Sequence, residues 1–286
     1  ILKDLGKLKE AEILYRKAIE LEPDLAVAHY SISLVKVFDA NKIWREKLFS
    51  SNLLKNKSKK DQVNIYFARA NILHKESNFK ESSKCLKSAN NLKQNLNPTN
   101  LKGLLRQSKE LMQETNKENI NENKHTNIPC SIFIVGMLRS GSTLLESILS
   151  MNNNVDDLGE INILEESFLS SKKLEQKLTL AELYLQKINI YSKELRTTTN
   201  KCLYNYQYTG IVCSQIPNAK IIHCFRNPLD NILSIYRANF AKGNYYSSSL
   251  VDCAKVYLDQ EKVMNEYKKK FRSKIYDLNY DSLVVN

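Results

Sequence analysis

The 286-residue sequence has no apolar run approaching the roughly 18 residues that span a bilayer, and no signal peptide is visible behind Ile1. These absences exclude an ordinary helical membrane protein and set the expectation of a cytoplasmic chain with no membrane partner. The six cysteines, Cys85, Cys130, Cys202, Cys213, Cys224 and Cys253, form no CxxC pair, and the four histidines give them no ligand-like company. A zinc module and a disulfide scaffold are therefore disfavoured, and free buried thiols in a reducing compartment are expected. Glycine is scarce as well. Of only seven, three fall within one stretch, Gly136, Gly141 and Gly159, and so mark it out.

What is present suits a folded chain. With 42% hydrophobic and 26% charged residues it can fill one large core or two smaller ones, and two domains are expected. The formal charge of +12 is spread along a sequence rich in Lys and Asn, so it reads as composition, with no nucleic-acid partner implied. A diffuse excess of lysine still favours an anionic ligand.

The stretch from Cys130 to Glu160 reads CSIFIVGMLRSGSTLLESILSMNNNVDDLGE. Ile132, Phe133, Ile134 and Val135, behind Pro129, predict a strand buried on both faces. Leu144, Leu145, Ile148 and Leu149 share one face of a predicted helix. A strand thus feeds a loop that opens a helix. The unpaired N–H groups and the positive dipole end of such a helix start suit a phosphate or sulfate. Gly136 to Thr143 nearly spells GxxxxGK[ST], yet Ser142 stands where the nucleotide-gripping lysine belongs, and Arg139 carries the cation instead. A later predicted strand, Ile221 to Phe225, ends in Arg226 where a magnesium-dependent nucleotide site usually places Asp. An ordinary kinase or ATPase is disfavoured. Arg226 itself precedes a second helix start, with Asn227 as N-cap and Pro228 as first helical residue. That helix is predicted to run through Leu229, Ile232, Leu233, Tyr236 and Phe240, with Ser234 on another face. His223 reads as packing.

RSGSTL, then LGE, then KIIHCFRNPLDNILS resemble the sulfotransferases that use 3′-phosphoadenosine 5′-phosphosulfate (PAPS). More narrowly, they resemble the bacterial repeat-bearing branch related to tyrosylprotein sulfotransferases. The family's 5′-phosphosulfate loop, [KR]-S-G-[ST]-T, matches Arg139, Ser140, Gly141, Ser142 and Thr143, with Leu144 next in line. Its 3′-phosphate signature, an Arg followed eight positions later by a Ser, matches Arg226 and Ser234. By the same resemblance Glu160, in a Gly-Glu pair, accepts the acceptor's proton; standing alone it would read as a solvated loop acid. TNKCLYNY matches the family's TDKMPxNF at Lys201 and Asn205 but departs from it at Asn200, Cys202 and Leu203. Lys201 would then help neutralise charge on the leaving oxygen, together with Arg139. Tyr280 falls where the family's Y-E-x-L-V tyrosine lies by the adenine, and Asp281 replaces the glutamate. The resemblance implies PAPS as co-substrate, no metal, and an acceptor hydroxyl on a protein, peptide or glycan, protein tyrosine among them.

Before the loop, residues 5–23 carry Gly6, Ala11, Tyr15, Ala18 and Pro23 at the spacing of the second half of a tetratricopeptide repeat. Ala26 to Val37 opens another that degenerates near Trp44, and Phe67, Ala70, Phe79, Leu86 and Ala89 match a further one, with Ser82 in place of the usual alanine. Such an array offers a groove to a protein partner, or serves as a dimerisation or packing module. Residues 94–127 form a helical and polar linker, with Leu101, Leu104, Leu105 and Met112 on an amphipathic piece and NKENINENKHTN as its tail; the domain boundary is expected near Thr126. Residues 161–196 read as helical, Leu250 to Phe271 as one long helix, and Lys274 to Leu278 as a strand.

The expected fold is an α-helical, tetratricopeptide-like domain over 1–93 and a three-layer α/β domain over 128–286 with a mostly parallel sheet. Both ends suggest a fragment, with the catalytic domain truncated at its C-terminus. Two rivals remain: a P-loop kinase or nucleotide hydrolase, and a non-catalytic repeat scaffold with a degenerate nucleotide domain.

Overall fold

The computed structural model describes residue 2 and residues 5–35, 42–117, 129–173, 175–192, 196–240 and 243–285. By contacts it divides into two compact units, one of Ile1–Asn100 with Tyr236–Cys253, the other of Leu101–Ile235 with Ala254–Asn286.

The first unit holds α1 (Leu8–Leu21), α2 (Ala26–Ser33), α3 (Lys42–Phe49), α4 (Lys59–Lys75) and α5 (Phe79–Leu96). Helix α4 ends because Ser77 takes a left-handed conformation, φ 59°, and the Asn78 N–H returns to the Leu73 carbonyl at 2.8 Å. The chain then doubles back, and Phe67 and Ala70 of α4 pack on Leu86 and Ala89 of α5. Ser82 replaces alanine here without strain, since it is buried and its hydroxyl donates to the Ala70 carbonyl at 2.8 Å. Phe79, matched to a packing position, is instead 59% exposed against the His74 ring. Helix α2 stops at Ser33, and Val37 lies outside the described residues. Residues 236–253 also belong to this unit: the Asn90 amide donates to the Tyr236 carbonyl and the Asn239 amide to Asn64, each at 3.0 Å.

The second unit holds α6 (Leu101–Lys117), β1 (Ser131–Gly136), α7 (Ser142–Leu149), β2 (Val155–Asp157), α8 (Ile163–Ser171), α9 (Leu180–Tyr191), β3 (Thr197–Asn200), α10 (Thr209–Gln215), β4 (Ala219–Phe225), α11 (Pro228–Tyr236), α12 (Leu250–Phe271) and β5 (Ile275–Asn279). Helix α6, expected in the linker, packs into this unit's core through Leu111 and Met112. It is tied there by Ser108, which donates to Asp259 at 2.6 Å and accepts from the Gln207 amide at 2.8 Å. Residues 118–128, with most of NKENINENKHTN and Thr126, lie outside the described residues.

The sheet order is β2-β3-β1-β4-β5, and every pairing is parallel. Alternation along β1 fills two cores. Phe133 and Val135 meet Tyr184, Ile211 and Met264 on one face, while Ile134 meets Leu145 and Cys224 on the other. That gives helix, sheet and helix layers, with the central strand β1 buried on both sides. Three expectations change. The helix foreseen over 161–196 is two, because a capping box between Thr179 and Glu182 starts α9 afresh. Helix α11 ends at Tyr236, short of Phe240. Strand β3, reading TTTN, pairs with β1 where no strand was foreseen. Among the described residues all six cysteines are free, and no helix is long and apolar enough to cross a membrane.

Candidate active site

A parallel sheet delivers every strand's C-terminal end to one edge, and this edge collects the candidate residues. The loop after β1 carries Arg139, β2 leads to Glu160, β3 to Lys201, β4 to Arg226 and β5 to Tyr280. From β1 the chain passes to β2 on one side, and from β4 to β5 on the other, so a crevice is expected outside the ends of β1 and β4.

The loop's backbone is unusual at three positions. Gly136 has φ 143°, and a Cβ there would lie 2.2 Å from the Cys224 carbonyl oxygen of β4, so only glycine fits. Gly141, at φ 87°, is the N-cap of α7, and the Tyr280 ring lies so close that a Cβ would be 2.0 Å from it. Arg139 is left-handed at φ 66°, a strain of about 1–3 kcal/mol of the kind that clusters at functional sites. Its exposed side chain reaches Ser234 of α11, with Nε donating to Oγ at 3.2 Å. The Asn231 amide donates to the Leu138 carbonyl at 2.9 Å, a second tie between α11 and the loop. The two predicted anion motifs therefore touch. The Ser140 hydroxyl is buried with no hydrogen-bond partner, an orphaned donor inside the loop. Ser142 is buried, whereas Thr143 and Leu144 are exposed. The predicted apolar face of α7 is corrected by this: Leu144 and Ile148 are each 43% exposed, and the helix buries Ser142, Leu145 and Glu146.

At the α11 start the chain serves itself. Asn227 Oδ1 caps the N–H groups of Leu229 and Asp230, and the Asn227 N–H donates to Asp281 Oδ2 at 2.8 Å. Asp281 also pairs with Arg226 Nε at 3.5 Å, too poorly aligned for a hydrogen bond. The Arg226 guanidinium lies over the Tyr280 ring, 5.1 Å from its centre. With these amides occupied, the groups left there to meet an anion are the side chains of Arg226, Ser234 and Arg139. Such a pair of cations, with the orphaned Ser140 hydroxyl, fits a ligand carrying two separated anionic groups.

The third group sits across β1. The Leu158 N–H donates to the Thr199 carbonyl and the Lys201 N–H to the Gly159 carbonyl, which lays Glu160 beside Lys201. Lys201, its side chain only 6% exposed, donates from Nζ to Glu160 Oε1 at 2.6 Å, while the Glu160 side chain is 69% exposed. Asn200 Oδ1 accepts from the Cys202 N–H and from the Asn205 amide, fixing the turn. Burial, with Glu165 and Glu160 adding to it, pushes the Cys202 thiol up to about 11, so it is no nucleophile. Sequence reading missed Glu146, one helical turn past Ser142. It is 8% exposed, accepts from the Thr199 hydroxyl at 3.0 Å and lies 4.0 Å from Lys201 Nζ. Burial raises its carboxyl from the ordinary value against the opposing pull of Thr199 and Lys201. Its spacing from Ser142 and Leu149 on the helix was the available signal. His223, read as packing, is also hydrogen-bonded, to Gln260 at 2.6 Å and towards Asp277 at 3.4 Å.

The fold and this edge define an α/β protein with cationic side chains gathered at the ends of parallel strands. The chain belongs to the sulfotransferase family, whose family model matches residues 129–286. It is similar to a protein of Aquifex aeolicus (strain VF5) described only as uncharacterized, with 25% identity over 313 residues that cover 99% of this chain and 40% of that protein. The chain thus spans about two fifths of that relative's length.

Proposed function

We propose that residues 129–286 move a sulfuryl group from PAPS to an acceptor hydroxyl. The observation that carries this reading is the Arg139–Ser234 bond at 3.2 Å, which joins the loop suited to a 5′-phosphosulfate to the helix suited to a 3′-phosphate. Arg139, Ser140, Gly141, Ser142 and Thr143 would hold the phosphosulfate, Arg226 and Ser234 the 3′-phosphate, and Tyr280 the adenine side. The acceptor oxygen forms a bond to sulfur as the bond from sulfur to the phosphate oxygen breaks, and that oxygen leaves with the electron pair. Arg139 and Lys201 meet the negative charge that develops there. Glu160 Oε1 takes the proton from the acceptor hydroxyl and exchanges its bond with Lys201 for one with the acceptor. Its exposure suits it to reach an incoming acceptor. The acceptor is a hydroxyl on a protein, with tyrosine first, or on a glycan. The helical hairpins of the first unit act as a tetratricopeptide-like module for a protein partner.

The test is mass spectrometry of a peptide and glycan panel incubated with isotope-labelled PAPS, alongside calorimetry with adenosine 3′,5′-bisphosphate in the absence of metal. Transfer of the label and metal-free bisphosphate binding are expected. Binding of ATP with magnesium in place of the bisphosphate would overturn the reading in favour of a kinase.

A further inference from the structure

Lys201 presents a problem that its shortest contact does not solve. Its side chain is 6% exposed, and a buried charge needs a lasting counter-charge. The partner at 2.6 Å is Glu160, which is 69% exposed and therefore screened by solvent. In the proposed reaction Glu160 also gives up its negative charge each time it takes a proton. At that moment Lys201 would stand buried and unpaired, next to the leaving oxygen that it has to neutralise.

Glu146 is placed to prevent this. Its carboxylate, 8% exposed, lies 4.0 Å from Lys201 Nζ, where low polarity strengthens attraction. It is also anchored to the segment that carries Lys201. It accepts from the Thr199 hydroxyl, two residues before Lys201. Helix α7 brings it there from the anion loop, so one carboxylate ties the loop's helix to the end of β3. The other charged group found facing it is Asp157, at the end of β2.

We propose that Glu146 is the positioning residue of this site: its buried carboxylate keeps the Lys201 ammonium in place and charged while Glu160 carries the acceptor's proton. This rests on the sulfuryl-transfer reading above. It assigns Glu146 no contact with either substrate.

The experiment reads the titration of the Lys201 amine directly, from the Nζ resonance of chain labelled with nitrogen-15 lysine, identified by its loss in Lys201→Arg. Glu160→Gln mimics the proton-bearing state and should leave the midpoint near that of the wild type. Glu146→Gln should lower it by about one pH unit, and the double variant by about the same amount. Glu146→Asp, which keeps the charge but withdraws it by one methylene, should fall between wild type and Glu146→Gln; it also serves if Glu146→Gln does not fold. In turnover, the alkaline limb of the kcat profile should move to lower pH in Glu146→Gln by the same amount. The proposal is overturned if Glu146→Gln and Glu146→Asp titrate like the wild type, or if Glu160→Gln alone produces the full fall. Failure of the wild-type chain to bind the bisphosphate would instead sink the sulfuryl-transfer reading, and the amine titration would still decide the role of Glu146.

Discussion

Among the described residues, each unit buries one lysine. Lys93 in α5 is 6% exposed and Lys201 after β3 is 5% exposed, yet their surroundings differ. Lys201 faces Glu160 and Glu146. Lys93 Nζ has no hydrogen-bond partner among the described residues and lies about equally far, at 5.9 and 6.0 Å, from the rings of Phe67 and Phe240. Burial alone pushes its amine down to about 8. Equal burial therefore means two things. Where counter-charges converge, the buried cation is compensated; where none does, the cation is a cost to folding offset by packing of its stem.

The comparison breaks most visibly in catalysis. Glu160→Gln should lower turnover by about 10²- to 10⁴-fold, the usual share of a general base, while bisphosphate affinity measured by calorimetry hardly changes. A loss of both would mark a collapsed loop, and a loss of neither would return Glu160 to the status of a solvated acid. Lys93→Met should leave turnover unchanged in the same assay, which separates the two lysines. Next in size is Arg226→Ala, expected to weaken bisphosphate binding by about 1.5–3 kcal/mol, the worth of a hydrogen bond to a charged group. Unchanged affinity would assign Arg226 to Asp281 alone.

The smaller effects concern stability. Lys93→Met should stabilise the chain against urea by about 1–3 kcal/mol at pH 7, since it removes a buried charge and keeps the packing. The sign of its pH dependence follows from the lowered amine. Folding weakens proton binding at Lys93, so the native state loses stability as pH falls from the ordinary lysine value of about 10.4 to about 8, and the penalty is constant below that. The advantage of Lys93→Met should accordingly be full at pH 7 and shrink towards pH 10. An advantage that stayed constant over that range would mean Lys93 is neutral throughout or paired.

Much of the edge was legible in the sequence because its elements have local signatures. An apolar run before a glycine loop gives β1, and the Asn227-Pro228 start gives α11. What was not legible depends on distant partners. TTTN carries no apolar alternation and becomes β3 only by pairing with β1. LLESIL invites the choice of leucines as the buried face, yet the structure exposes Leu144 and Ile148 and buries Glu146 because Thr199 and Lys201 wait beneath it. The α11 start looked like an open anion site, and only the register of β4 with β5 brings Asp281 to its Asn227 N–H.

The position of β1 at the sheet centre has a consequence for how the chain folds. The strand made first must wait for both neighbours: Ser131 meets Thr198 across 67 positions, and the β4 partners of β1 come later still. Closing such long loops costs entropy before any pairing is gained, which makes the sheet slow to assemble. Gly136 takes its conformation against Cys224 of β4, so the anion loop cannot be shaped until that later strand is in place. On a ribosome, the loop before α7 would therefore take its shape only after Cys224 of β4 has emerged.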